Sequence, residues 1–237
     1  MKNGKRTFAI GIPTINRLDL LLPTLLMYGN DMPNVNIIVY DNGAQNITMR
    51  IWELKMAGKY GGTTNLFPAL SNIDILGGEG KNIGVAGAWN AICEKVFEKH
   101  DFVLMLNDDI YLGVPEIEIE MLLDVNSVIS GFDFAKCEEP YDWSVFLLPK
   151  KTFERVPFDT NYYPAYYEDA DAAYRMKMLK MTTYELPALN PRLFRRSMTM
   201  LKDPEVLGSN FAMNRKYYIK KWGGDRYEEK FKTPFSR

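Results

Sequence analysis

The chain has 237 residues, a net charge of −1 and 46% hydrophobic residues, enough for one large α/β domain with a real core. Balanced charge excludes a global field for holding nucleic acid or an anionic membrane and leaves only local basic clusters in the last third. Cys93 and Cys137 lie too far apart for a redox motif or zinc knuckle, and no segment approaches the roughly 20 apolar residues of a membrane helix.

The opening MKNGKRTFAIGIP is too short and too broken by Gly11 and Pro13 to be a signal h-region. A soluble protein of bacterial or virus-infected host cytoplasm, with reduced thiols, is the expectation. Residues 8–12 (FAIGI) read as a buried strand, Pro13, Thr14 and Asn16 as a turn, and 18–27 as a helix with an apolar face. A second strand at 36–40 (NIIVY) stops on Asp41, Asn42 and Gly43. The pattern then predicts a helix over 48–57, a short strand at 74–76, a helix over 85–99 and a strand at 102–106.

After Tyr111 the alternation loosens. A helix over 116–123, strands at 127–135 and 144–148, a helical turn at 150–155 and a helix over 168–180 are expected. The tail from residue 203 is rich in Lys, Arg and aromatics. Strands alternating with helices at this spacing specify a mostly parallel twisted sheet with helices on both faces. Ligands of such sheets bind beyond the carboxyl ends of the strands. That rule gathers 13–16, 41–43 and 107–109 at one rim.

Residues 101–111 (DFVLMLNDDIY) carry the sharpest chemistry, because a buried strand ending on adjacent carboxylates must point charge at water, a cation or a ligand. A hard divalent cation, Mn²⁺ or Mg²⁺, bridging a diphosphate needs one or two such oxygens. Asp109 is the preferred ligand and Asp108 its support. Capping of the following turn is the ordinary alternative. Gly84 and Gly87 in NIGVAG allow close backbone approach, and the helix N-terminus behind them suits phosphate through its free N–H groups. Close packing of helix on sheet explains them equally well, and the three-glycine dinucleotide spacing is missing.

In YYEDADAAYR, Glu168, Asp171 and Arg175 fall at three- and four-residue steps. The structural explanation is a first helical turn with dipole-favoured acids and an Asp171–Arg175 ion pair; the functional one is a general base beside an orienting carboxylate. Arg192, Arg195, Arg196 and Lys202 suit a diphosphate or an anionic acceptor, or simply a solvated surface. Trp222 is either a sugar-stacking wall or a core anchor. Tyr162, Tyr163, Tyr166 and Tyr167 line an acceptor groove or pack beneath a loop, and His100, at the opposite end of its strand from the site, is structural.

FAIGIPTINR, IIVYDNG, KNIGVAGAWN, the NDD strand end and YYEDADAAYR occur in the order seen in family 2 glycosyltransferases of the GT-A fold, which the chain resembles over residues 8–175. YYIKKWGG also resembles C-terminal segments of some viral and phage sugar transferases. The resemblance implies a GT-A catalytic domain over 1–202, with a nucleotide half to about 111 and an acceptor half to 202, and a segment 203–237 packing on it.

By the same resemblance, Pro13, Thr14, Asn16, Arg17 and Asp41 hold the nucleotide of a sugar donor, with Asp41 facing the base. Asn82, Gly84 and Gly87 lie along it, Asn107 and Asp108 border it, and Asp109 binds the metal. Asn107 replaces the first acid of the family's Asp-any-Asp motif. Asp169 matches the base, Glu168 orients the acceptor, and Asp171, Arg195, Arg196 and Trp222 are acceptor or phosphate candidates. The implied activity is metal-dependent, inverting transfer from a nucleoside diphosphate sugar, with UDP favoured, to a glycan or similar hydroxyl. Alternatives are a transferase acting on modified bases of phage DNA, a sugar nucleotidyltransferase, and a non-catalytic nucleotide-sugar binding module. A nucleotidyltransferase would carry a glycine-rich loop with Arg and Lys where this chain has IPTINR.

Overall fold

The computed structural model describes residues 7–61, 72–112, 119, 123, 132–137, 143–185, 194–195 and 204–236. Four strands, β1 (Phe8–Thr14), β2 (Ile37–Asp41), β3 (Ile73–Gly77) and β4 (Phe102–Leu106), pair in parallel in the order β3-β2-β1-β4. Three more extend the sheet beyond β4: β7 (Val145–Pro149) antiparallel to β4, β6 (Phe134–Lys136) antiparallel to β7, and β8 (Thr183–Glu185) parallel to β6. Two-residue strands β5 (Ile110–Tyr111) and β9 (Phe194–Arg195) form a separate antiparallel pair.

Helices α1 (Leu18–Asp31), α2 (Ile47–Gly61), α3 (Gly84–Val96), α4 (Lys150–Phe153), α5 (Glu168–Met178) and α6 (Pro204–Trp222) complete the described elements. The period of two along each strand explains the layering. Ile10, Ile12, Val39 and Leu104 join a core with Leu21 and Leu25 of α1, whereas Ala9, Ile38, Val103 and Met105 join the opposite core with Trp89 and Ile92 of α3. At Gly11 the helix lies so close that an added Cβ would fall 2.5 Å from the Ile92 side chain.

Most expected elements stand within a few residues of their expected bounds. Ile119 and Leu123 are helical and buried, in line with a helix over 116–123, while 127–131 of the expected strand lie outside the described residues. The 19-residue α6 and the short β5, β8 and β9 go beyond the elements that the sequence pattern predicts. Both cysteines are buried free thiols. No helix among the described residues is long and apolar enough to cross a membrane.

Candidate active site

The carboxyl ends of β1, β2 and β4 meet at one rim. Thr14 is in register with Asp41, and Asn42 N–H donates to the Thr14 carbonyl at 2.9 Å. Thr14 Oγ1 donates to Asp108 Oδ2 at 2.6 Å, and Thr24 Oγ1 donates to the Asp108 carbonyl at 3.3 Å. β1 and α1 therefore hold the acidic end of β4.

Asp108 and Asp109 are both buried. Desolvation, reinforced by the Asp109 charge, pushes the Asp108 carboxyl up to about 6 against the opposing Thr14 hydrogen bond. Arg17 is buried beside them, its Nε 3.1 Å from Asp19 Oδ1; the hydrogen bond to Asp19 is the main reason its guanidinium is held above its ordinary value, with the charges of Asp108 and Asp109 adding to it.

No group of three or more His, Cys, Asp or Glu side chains gathers into a metal cage among the described residues. The donor set at this rim is instead a pair of adjacent carboxylates, hard oxygen ligands that fit a divalent cation whose remaining ligands come from phosphate and water. Backbone register also puts Arg195 opposite Ile110, one residue beyond Asp109. Arg196, Arg192 and Lys202 lie outside the described residues.

Asp41 Oδ1 accepts Gly43 N–H at 2.8 Å and Gln45 Nε2 at 3.0 Å, while Oδ2 accepts Gln45 N–H at 3.1 Å. These bonds set the β2–α2 turn, and a carboxylate has about four acceptor sites in all. Asp41 also lines a cavity of about 440 Å³, together with Asn46, Met49, Trp52, Gly77 and Gly78. Asn16, at φ 52°, abuts Gly43 and joins the β1–α1 and β2–α2 loops.

The expectation that α3 offers free N–H groups to phosphate needs correction at its first residues. Gly84 N–H donates to Asn82 Oδ1 at 2.8 Å, and Val85 N–H donates to the Pro164 carbonyl at 2.8 Å. Ile83 N–H donates to Asn42 Oδ1 at 2.9 Å. Gly84 has φ 76°, and an added Cβ would lie 2.9 Å from the Pro164 oxygen. Glycine is required there because the 163–164 loop lies directly on the helix end. Gly87 packs on Ile83.

Those contacts bring the second acidic segment to the same rim. Asn42 of the β2 end binds 83–84, residue 85 binds 164, and the chain then turns through Tyr166 at φ 79° and Tyr167 at φ 73° into α5. Two consecutive non-glycine residues in left-handed conformations are costly and persist only where their surroundings hold them. Buried Asn214 of α6 supplies that hold, its Nδ2 donating to the carbonyls of Ala165 at 2.7 Å and Tyr166 at 3.1 Å.

Asp169 is partly exposed, with 22% of its side chain accessible, and its Oδ1 accepts Ala170 N–H at 2.7 Å and Arg226 Nη2 at 2.6 Å. Glu168 differs. It is buried, its Oε2 has no hydrogen-bond partner, and desolvation together with the Asp169 charge lifts its carboxyl to about 8. Burial and the neighbouring charge thus favour the protonated form of Glu168, which is not a second exposed carboxylate.

Because the folded state holds this proton and the unfolded chain releases it near 4.5, Glu168 favours folding below about pH 4.5 and loses that contribution as pH rises to about 8. Glu168→Gln is expected to stabilise the protein against urea, by much more at pH 9 than at pH 5. Equal midpoint differences at the two pH values would contradict this.

Two expected site residues turn out to be structural. Asp171 is fully buried and accepts Tyr162 Oη at 3.2 Å, Trp222 Nε1 at 2.8 Å, Arg175 Nε at 2.7 Å and Lys221 Nζ at 2.6 Å. Trp222, 2% exposed, packs edge-on against Tyr174. With no accessible ring face it is a core anchor, and Asp171 is the acceptor that fixes it. Tyr162 and Tyr167 are buried too, leaving Tyr163 as the exposed member of its cluster. His100, bonded to Asn36 at 3.1 Å, precedes β4 at the end away from the rim, as expected.

No protein-family description and no curated protein sequence matches the chain. Solved structures match it by shape. Glucosyl-3-phosphoglycerate synthase of Mycobacterium tuberculosis, solved with phosphoglyceric acid, matches with a TM-score of 0.52 at 12% identity over 86% of this chain and 79% of that one. The glycosyltransferase GlyE of Streptococcus pneumoniae matches at 0.47 and 12% over 77% of this chain. A variant of Drosophila galactosyltransferase 7, in complex with manganese, UDP-Gal and xylobiose, matches at 0.47 and 11% over 83% and 72%. The chain spans 46% of the length of GlyE. The fold is the α/β, mostly parallel mixed-sheet architecture of GT-A glycosyltransferases.

Proposed function

We propose that this chain is a metal-dependent, inverting glycosyltransferase that moves a sugar from a nucleoside diphosphate sugar to an acceptor hydroxyl, with UDP the nucleotide favoured by the family resemblance. The observation that carries the reading is the meeting, on a GT-A sheet, of the β1, β2 and β4 ends with the segment that launches Asp169. Asp41 and the cavity beside Gly77 and Gly78 offer a place for the base. Arg17 and the Asp108–Asp109 end suit the charged middle of the donor.

In this reading Asp109 would hold Mn²⁺ or Mg²⁺, with Asp108 behind it. A bound cation would offset the charge that grows on the departing diphosphate. The acceptor oxygen attacks the anomeric carbon from the face opposite the diphosphate, its proton passes to Asp169, and the electrons of the broken C–O bond leave on the phosphate oxygen. One C–O bond forms as one breaks, and the configuration inverts. Asp109→Ala is expected to weaken donor binding in the presence of Mn²⁺ by more than about tenfold, read by titration calorimetry with UDP-sugars. Unchanged Mn²⁺-dependent affinity would remove Asp109 from the metal site.

A further inference from the structure

We propose that Arg226, a residue no motif marks, is a positioning residue for Asp169; this rests on the transferase reading above. Arg226 Nη2 and Ala170 N–H reach the same oxygen, Asp169 Oδ1, at 2.6 and 2.7 Å. Two donors converging on one oxygen fix the plane of the carboxylate, and so fix where Oδ2 lies. A base must sit within hydrogen-bond reach of the proton it removes, so that orientation bears directly on rate.

Arg226 is itself held. Its guanidinium carbon lies 4.7 Å from the centre of the Tyr167 ring, and its backbone N–H donates to Asp225 Oδ1 at 2.9 Å. Asp225 also accepts Tyr167 Oη at 3.0 Å and Arg215 Nε at 2.6 Å. Tyr167 is the left-handed residue at the entry to α5. The C-terminal segment thus grips both the turn that delivers Asp169 and the carboxylate itself, from 57 residues away.

Stability alone does not account for this arrangement. The Arg226 and Asp169 side chains are 37% and 22% exposed, and ion pairs open to water contribute little. Their value lies in geometry and charge. Among the described residues, the charged and titratable groups whose contacts reach Asp169 or its partner Arg226 include Glu168, and Asp225 with its partner Arg215. Glu168 is buried, which disfavours its charged form, and Asp225 is matched by Arg215. Among the described contacts, Arg226 is the cation that pairs with the Asp169 carboxylate and aims it.

The test uses the full chain with Arg226→Gln and Arg226→Lys, assayed for kcat and KM across pH, for donor affinity by calorimetry, and for the Asp169 carboxylate titration by ¹³C NMR. Arg226→Gln is expected to lower kcat by roughly 100-fold without changing donor affinity, to move the acid limb of the rate profile to higher pH, and to raise the Asp169 titration midpoint. Lys restores the acid limb but recovers kcat only in part, because it lacks the planar guanidinium.

Wild-type kcat and acid limb in Arg226→Gln would overturn the inference. So would an unmoved Asp169 titration, which reads the pairing whether or not the protein turns over. If wild type itself bound no nucleotide sugar and transferred nothing, the transferase reading would fail, and the positioning role with it.

Discussion

Asp169→Asn is expected to lower kcat for transfer by about 10²–10⁴-fold while leaving donor affinity unchanged. The amide oxygen can still accept Ala170 N–H and the Arg226 guanidinium, so the turn and its contacts survive. What the amide lacks is basicity. The expected signature is a pure loss of kcat with donor KM and melting temperature preserved, measured by steady-state kinetics and thermal denaturation. Full activity in Asp169→Asn would place the base elsewhere.

The largest effect on stability is expected at Asp171. Removing it by Asp171→Ala takes an acceptor from the Lys221 ammonium, the Arg175 guanidinium, the Trp222 indole N–H and the Tyr162 hydroxyl at once. Lys221 keeps a second acceptor, Asp159 Oδ2 at 2.6 Å, and Arg175 keeps the Pro157 carbonyl at 2.7 Å. Trp222 and Tyr162 have no such alternative among the described contacts.

Breaking one side of a buried ion pair costs about 3–5 kcal/mol, a large part of a typical domain's 5–15 kcal/mol. At about 2–4 °C per kcal/mol for a chain of this size, the melting temperature should fall by roughly 10 °C. Asp171→Asn, which retains an acceptor, should fall less. A melting temperature within a degree of wild type in Asp171→Ala would mean the cluster does not hold α6 to α5.

How far the sequence foretells this arrangement depends on where each signal sits. β1, β2 and β4 are legible because FAIGI, IIVY and FVLML are apolar runs stopped by Pro, Asn and Asp, and a parallel sheet puts those stops on one edge. α6 is not legible for a physical reason. Its inward face is Asn214, Tyr218, Lys221 and Trp222, a regular helical spacing in which two members are polar. Those two read as surface residues until their acceptors, the 165–166 carbonyls and the Asp159 and Asp171 carboxylates, arrive from distant sequence.

The same distance hides Arg226 and misleads at Trp222. The KWGG motif points to a tryptophan available for a sugar, yet its N–H lies against Asp171, 51 residues away. A dipeptide such as Asp225–Arg226 after a Gly-Gly turn is the only local hint of the grip on α5. At α3 the glycine signal was real, but the close approach it permits is made by the Pro164 carbonyl.

Binding of a donor by the wild-type protein tests the central claim most directly. A melting-temperature series with UDP-sugars and other nucleoside diphosphate sugars, each with and without Mn²⁺, should show one nucleotide raising the midpoint only when the metal is present. At a hundred times its Kd that ligand adds about 2.7 kcal/mol, or roughly 5–10 °C. A midpoint that stays flat across every nucleotide sugar at millimolar concentration, with Mn²⁺ and without it, would contradict the assignment of this rim as a sugar-donor site.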